Sequence, residues 1–206
     1  MRSNLASHWD WLTPPAKAHF CRRVAVVSAD ISMTTEMAES LAKRYTTSWV
    51  PQHARNYWDG RKHIGDSENR SSSEFLHIAH GQKRLEDSLA RMAYRVLFCD
   101  TNALVLQNLH RHFIGEESPA IERLIEEHKY DLCLLVALEQ TVQGNSKDKL
   151  QDMHNWLVKA LEKQSNAGMP YLLVSGSLKQ RMATAVEAVD PLLSFDFMPF
   201  DSLPQN

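Results

Sequence analysis

Ser28-Ala29-Asp30-Ile31-Ser32-Met33-Thr34-Thr35 has the position of a phosphate-binding loop but little of its composition. It comes directly after the apolar run Val24-Ala25-Val26-Val27, and beyond it Met33, Met37, Ala38, Leu41, Ala42 and Tyr45 recur at helical spacing. Val24–Tyr45 therefore reads as buried strand, tight loop and amphipathic helix. In a parallel α/β protein such a helix start offers an anion unpaired amides and a positive dipole end. A complete P-loop reads G-x-x-x-x-G-K-S/T. In the matching register Ser28 and Met33 replace the glycines, Thr34 replaces the lysine, and only Thr35 keeps its type.

Glycine lets the backbone approach a phosphate closely, whereas Met33 brings a Cβ and a long side chain into that space. A lysine contact to phosphate contributes about 1.5–3 kcal/mol, and Thr34 offers only a neutral hydroxyl. The bare helix terminus retains about 0.3–1 kcal/mol of attraction for an anion. The expectation is weak phosphate binding at Ser32, Met33, Thr34 and Thr35, without Walker-type catalysis. Asp30 adds negative charge beside the same place.

Asp100 is the second candidate, ending the apolar run Val96-Leu97-Phe98-Cys99. A carboxylate at the carboxyl end of a parallel strand can hold Mg²⁺ together with Thr35, or activate an acceptor hydroxyl. The equal alternative is that Asp100 merely N-caps a helix over Ala103–Phe113, for which Thr101 is also a capping candidate. Glu74, His77 and His80, at i, i+3 and i+6, form a weak metal-ligand pattern on one helix face.

The elements that must position these residues are set by composition and period. The chain has 206 residues, 43% of them hydrophobic, enough for one sizeable core. A formal net charge of −2 gives no nucleic-acid footprint. No stretch reaches the ~18 apolar residues of a membrane span, and no signal-peptide core opens the chain. Three widely spaced cysteines suggest neither a disulfide framework nor a CxxC metal site, so a reducing cytoplasm is the expected compartment.

Residues 1–20 read as an irregular aromatic arm, 21–190 as the domain, and 191–206 as a tail carrying Phe195, Phe197, Met198 and Phe200 that is expected to pack on the core. Ser48-Trp49-Val50 is a short strand. The polar stretch Asp59–Ser73 reads as an excursion before a helix capped near Ser73 and running to about Tyr94. Ser118-Pro119 opens a further helix to His128, Asp131–Val136 is a buried strand, and Asp148–Gln164 a helix stopped by Gly168. Tyr171–Val174 is the last strand, and Leu178–Val189 the closing helix. Strands alternating with helices predict an α/β three-layer αβα sandwich around a mainly parallel, five-stranded sheet.

Several stretches, in order, resemble the ribosylnicotinamide (nicotinamide riboside) kinase domain of bacterial NAD-biosynthesis regulators, a P-loop kinase-like family. His8-Trp9-Asp10-Trp11 with Pro15 and Phe20 resembles the segment leading into that domain. Trp49-Val50-Pro51-Gln52-His53-Ala54-Arg55-Asn56-Tyr57 is similar to the family's V-P-E-Y-A-R-E-Y, and Ala79-His80-Gly81-Gln82 to its helix with G-x-Q or G-Q. Phe98-Cys99-Asp100-Thr101-Asn102 resembles F-x-D-T-D, and Tyr130-Asp131-Leu132-Cys133-Leu134-Leu135 resembles Y-D-L-x-L-L.

The resemblance implies an acceptor-nucleoside site at Gln52, Arg55, Tyr57 and Gln82, with ATP and Mg²⁺ as cofactors and Mg²⁺ held at Thr35 and Asp100. Departures accompany it. The motif's first glutamate is Gln52, a neutral amide, and the segment Leu138–Lys147 has no arginine where the family's lid carries one; Lys147 and Lys149 are the nearby cations. The residues support three readings. One is a kinase-like domain that has lost phosphoryl transfer and works by binding a nucleotide, an NAD metabolite or a protein. Another is an active ATP-dependent nucleoside kinase that borrows a cation such as Arg55. The third is a structural or oligomerisation domain that docks a partner or a second copy. None involves nucleic acid or a membrane.

Overall fold

The computed structural model describes residues 5–63, 70–138 and 145–194. Five apolar runs form the strands β1 (Arg22–Val27), β2 (Trp49–Val50), β3 (Val96–Asp100), β4 (Leu132–Val136) and β5 (Tyr171–Val174). They make one sheet in the order β2-β3-β1-β4-β5, and every pairing is parallel. The predicted three-layer architecture is the one observed. All side chains of β3 and β4 are buried, the signature of strands covered on both faces.

Alternation along β1 divides the core. Val24 and Val26 join Met37 and Leu41 of α2 (Thr35–Tyr45) and Val189 of α8 (Leu178–Ser194) on one face. Ala25 and Val27 face the other layer, with Phe75 and Ile78 of α4 (Ser72–Ala90) and Leu157 of a later helix. Each fully buried side chain of this size contributes about 1.5–3 kcal/mol relative to exposure. The remaining helices are α1 (Pro14–Phe20), α3 (His53–His63), α5 (Ala103–Ile114), α6 (Pro119–Glu127) and α7 (Asn145–Asn166).

The β1–β3 register sets Val26 opposite Asp100, so the two strands end level. The loop leaving β1 therefore lies beside the carboxyl end of β3, as ligand-binding crevices of parallel sheets require.

Several local expectations change. The N-terminal segment is helical rather than irregular: a 3₁₀ turn over Leu5–Trp11 precedes α1, and the Trp9 indole donates to Ala93 O at 3.0 Å. Asp59–His63 belongs to α3, and residues 64–69 lie outside the described set. The helix α4 starts earlier than expected, because Ser71 and Glu74 form a reciprocal capping box, and it ends at Ala90. Asn102, not Thr101 or Asp100, caps α5, its carboxamide oxygen accepting from Val105 N at 3.2 Å. Thr101 instead makes the turn, at φ 97°. The closing helix continues past Pro191 to Ser194. Residues 139–144 of the expected lid and the tail from Phe195 lie outside the described residues, while Lys147 and Lys149 are exposed on α7.

Candidate functional site

The loop after β1 closes on itself. Ser28 Oγ donates to Val136 O of β4 at 3.2 Å and accepts from Asp30 N at 3.2 Å. The Asp30 carboxylate then accepts from Ser32 N at 3.0 Å and Ser32 Oγ at 2.7 Å, capping a 3₁₀ turn over Ile31–Met33. Met33 N bonds Asp30 O at 3.1 Å, and the Met33 side chain packs on the α2 and α8 layer. Two amides that a phosphate loop would present to its ligand are thus held by Asp30. Position 30 lacks a counterpart in the P-loop consensus, so its role was visible in the sequence only as nearby charge.

Asp100 is the centre toward which the neighbouring polar side chains turn. It is fully buried. Its Oδ1 accepts from Thr34 Oγ1 at 2.5 Å and from Gln52 Nε2 at 2.8 Å, and its Oδ2 accepts from Thr35 Oγ1 at 2.6 Å. All three donors are neutral. The same Gln52 nitrogen lies 2.7 Å from Ile31 O and 3.0 Å from Thr34 Oγ1. Hence Thr34 and Gln52 join Thr35 and Asp100, the pair already linked in the sequence, in one cluster where β1, β2 and β3 end. Its parts come from short-range rules: Thr34 and Thr35 open α2, Gln52 comes just after the edge strand β2, and Asp100 ends β3.

Arg55 on α3 reaches the same loop, its guanidinium donating to Ile31 O at 3.2 Å. Tyr57 and Gln82 stand back from Asp100. The Tyr57 hydroxyl donates to Glu74 Oε1 at 3.3 Å, and Arg61 also pairs with that carboxylate. Glu74 therefore serves α3 and the cap of α4 rather than a metal with His77 and His80. Among the described residues no group of three or more His, Cys, Asp or Glu is gathered to hold a metal ion. Gln82 is buried, accepting from His53 N at 3.0 Å and donating to Glu86 Oε1 at 3.3 Å. It fixes the start of α3, and through it the direction of Arg55.

Glu86, which no motif in the sequence marks, is fully buried behind Gln82. It accepts from the Tyr130 hydroxyl at 3.0 Å and pairs with His128 Nε2 at 2.8 Å, while Arg23 bridges His128 at 2.9 Å and Asp87 at 2.8 Å. Burial first, then the Glu86 charge, push the Tyr130 phenol well above its ordinary value, so it stays a donor. A signal for Glu86 exists in the helical period: Phe75, Ile78, Ala79, Gln82, Glu86 and Ala90 share one face of α4.

Known proteins resemble this chain in both sequence and fold. A family model described as an AAA domain matches residues 34–181. The chain is 27% identical over 173 residues to the trifunctional NAD biosynthesis/regulator protein NadR of Escherichia coli (strain K12), covering 80% of this chain and 42% of that protein. It is 27% identical over 137 residues to NadR of Salmonella typhimurium, covering 66% of this chain and 33% of that one. The chain thus spans less than half the length of these relatives. Two crystal structures of NadR, one in complex with NR and one with NAD and AMP-PNP, superpose with TM-score 0.74 at 16% identity. Each alignment covers 96% of this chain, and 58% and 56% of the respective NadR chains, and establishes likeness of fold.

Proposed function

The chain belongs to the AAA domain family, and from that premise we propose that it binds a nucleoside or nucleotide of NAD metabolism, such as nicotinamide riboside or NAD, without transferring a phosphoryl group. The observation that carries this reading is Thr34, in the register of a P-loop lysine, with its hydroxyl turned inward to Asp100 at 2.5 Å. Phosphoryl transfer rests on positive charge placed against the transferring oxygens. Here the loop directs a neutral hydroxyl away from that place and holds the Ser32 amide on the carboxylate of Asp30. The ligands of the NadR structures support a nucleoside or nucleotide as the bound class. The resemblance of Arg55 and Tyr57 to the family's acceptor motif supports a nucleoside end to the site, and regulation by ligand binding is the role that remains.

A second reading, an ATP-dependent nucleoside kinase, is favoured by the Arg55 guanidinium over Ile31 O and by the Thr35 hydroxyl 2.6 Å from Asp100. A thermal-shift series with MgATP, ADP, nicotinamide riboside and NAD, each at ~1 mM, separates the two, since a ligand at 100 times its Kd adds about 2.7 kcal/mol. We expect shifts with nicotinamide riboside or NAD, and no radiolabel transferred from ATP to nicotinamide riboside. Transfer that disappears in Asp100→Ala and Thr35→Ala would establish the kinase instead. Absence of every shift would leave a protein-docking module.

A further inference from the structure

Gln52 sits against a fully buried carboxylate. Its carboxamide nitrogen, in a residue 4% exposed, faces Ile31 O at 2.7 Å, Asp100 Oδ1 at 2.8 Å and Thr34 Oγ1 at 3.0 Å. Ile31 O and Asp100 Oδ1 are acceptors only, so nitrogen rather than oxygen must point at them. Three oxygens thus surround a group with two protons, and one of them belongs to a fully buried carboxylate. A buried carboxylate is costly unless it is paired or hydrogen-bonded. Gln52, Thr34 and Thr35 meet that requirement with neutral donors.

The family resemblance implies Mg²⁺ at this place, and Gln52 does not fit it. Mg²⁺ takes oxygen ligands in an octahedron at about 2.0–2.1 Å. Thr35 and Asp100 are suitable ligand types, and the Thr35 hydroxyl, with its proton on Asp100 Oδ2, keeps its lone pairs; the misfit lies at Gln52. On the Oδ1 side an N–H donor with no lone pair to offer fills the space.

We infer that the Gln52 carboxamide is a built-in substitute for a cation, closing the Thr35–Asp100 pair to divalent metal, so that the site takes a metal-free nucleoside or nucleotide. The ligand class rests on the binding reading above. The closure is a property of the protein alone and is measured without nucleotide.

The test is titration of the full chain with Mn²⁺, monitored by the electron paramagnetic resonance of the free ion, for wild type, Thr35→Ala, Gln52→Glu, Gln52→Ala and the double variant Gln52→Glu/Thr35→Ala. Removing the amide is expected to create one Mn²⁺ site about tenfold or more tighter than any in wild type, the scale on which neighbours of metal ligands act. The double variant should lose that site. Gln52→Ala carries the test if a second buried carboxylate prevents Gln52→Glu from folding. The inference is overturned if wild type already binds one Mn²⁺ that Thr35→Ala abolishes, or if folded Gln52→Ala gains no site. Failure of the binding reading shows up separately, as no thermal shift with any nucleoside or nucleotide.

Discussion

The imidazole of His53 rests on the backbone of Gly81: a Cβ at Gly81 would stand 2.2 Å from His53 Nε2 and 2.3 Å from its Cδ2. This contact seats the start of α3 on α4, beside the bond from His53 N to Gln82. Burial, then the nearby His77 and Arg84, hold His53 below the ordinary histidine pKa. In Gly81→Ala the imidazole must swing aside, while the helix backbone gains about 0.5–1 kcal/mol from losing an interior glycine. Stability should change little, and the His53 titration measured by NMR should move up toward the ordinary value. An unmoved titration would mean that the contact does not hold the ring.

Stability should fall with acid in two stages. His53 and His154 are both depressed, His154 by burial, so the folded protein binds fewer protons than the unfolded chain. Their contribution is complete above the unfolded value near 6.5 and declines as pH falls through the folded values. Glu74 and Asp87 respond at lower pH. Burial opposes ionisation of both, but hydrogen bonds from Ser71 N and Arg61 to Glu74, and from Lys83 and Arg23 to Asp87, outweigh it. Their contribution is lost as pH falls below 4.5 and 3.8 respectively. Urea midpoints across this range will display the two stages, and a flat profile above pH ~5 would count against the histidine stage.

The three thiols should be silent in the native protein. Burial pushes Cys21 and Cys133 up to about 12, and Cys99, fully buried in β3, is raised well above its ordinary value. Since the thiolate is the reacting form, a chromogenic disulfide reagent at neutral pH should label none until denaturant is added. Rapid labelling of one thiol in the folded state would contradict this burial.

Thr34→Lys should strengthen binding of ADP. A lysine–phosphate contact of about 1.5–3 kcal/mol corresponds to roughly 10–150-fold in Kd. Isothermal calorimetry on both proteins measures the gain. No gain in a folded variant would argue that phosphate does not approach this loop.

Two turn positions should move stability in opposite directions. Asn102 caps α5, and Asn102→Ala should cost about 1 kcal/mol, typical of a lost cap. Thr46 ends α2 in the left-handed region at φ 50°, where a β-branched residue is disfavoured, so Thr46→Gly should add about 1 kcal/mol. Denaturant midpoints of the two variants, measured against wild type, test both signs.

The sequence alone determined the five strands, the helices α2 and α4 to α8, and the cap of α6, because those depend on residues close in the chain, whereas α1 and α3 read as irregular. Val24–Val27, Val96–Cys99 and Leu132–Val136 are apolar on both faces, which suits only strands covered twice, and Ser118-Pro119 marks the start of α6 by itself. In the register that fits the chain, Ser28, Met33 and Thr34 stand where the P-loop consensus has its glycines and lysine. The choice of cap before α5 was not determined, since Asp100, Thr101 and Asn102 are all capping types. That was decided when Asp100 turned to Thr34 and Gln52, which stand 66 and 48 residues away. Such a contact depends on β3 lying between β1 and β2, and on strand ends brought level by register. Likewise the face of Glu86 could be read from helical period, but not its partners His128 and Tyr130, which β4's place beside β1 brings near. Tertiary structure alone decided that the neutral amide of Gln52 donates to the buried carboxylate of Asp100.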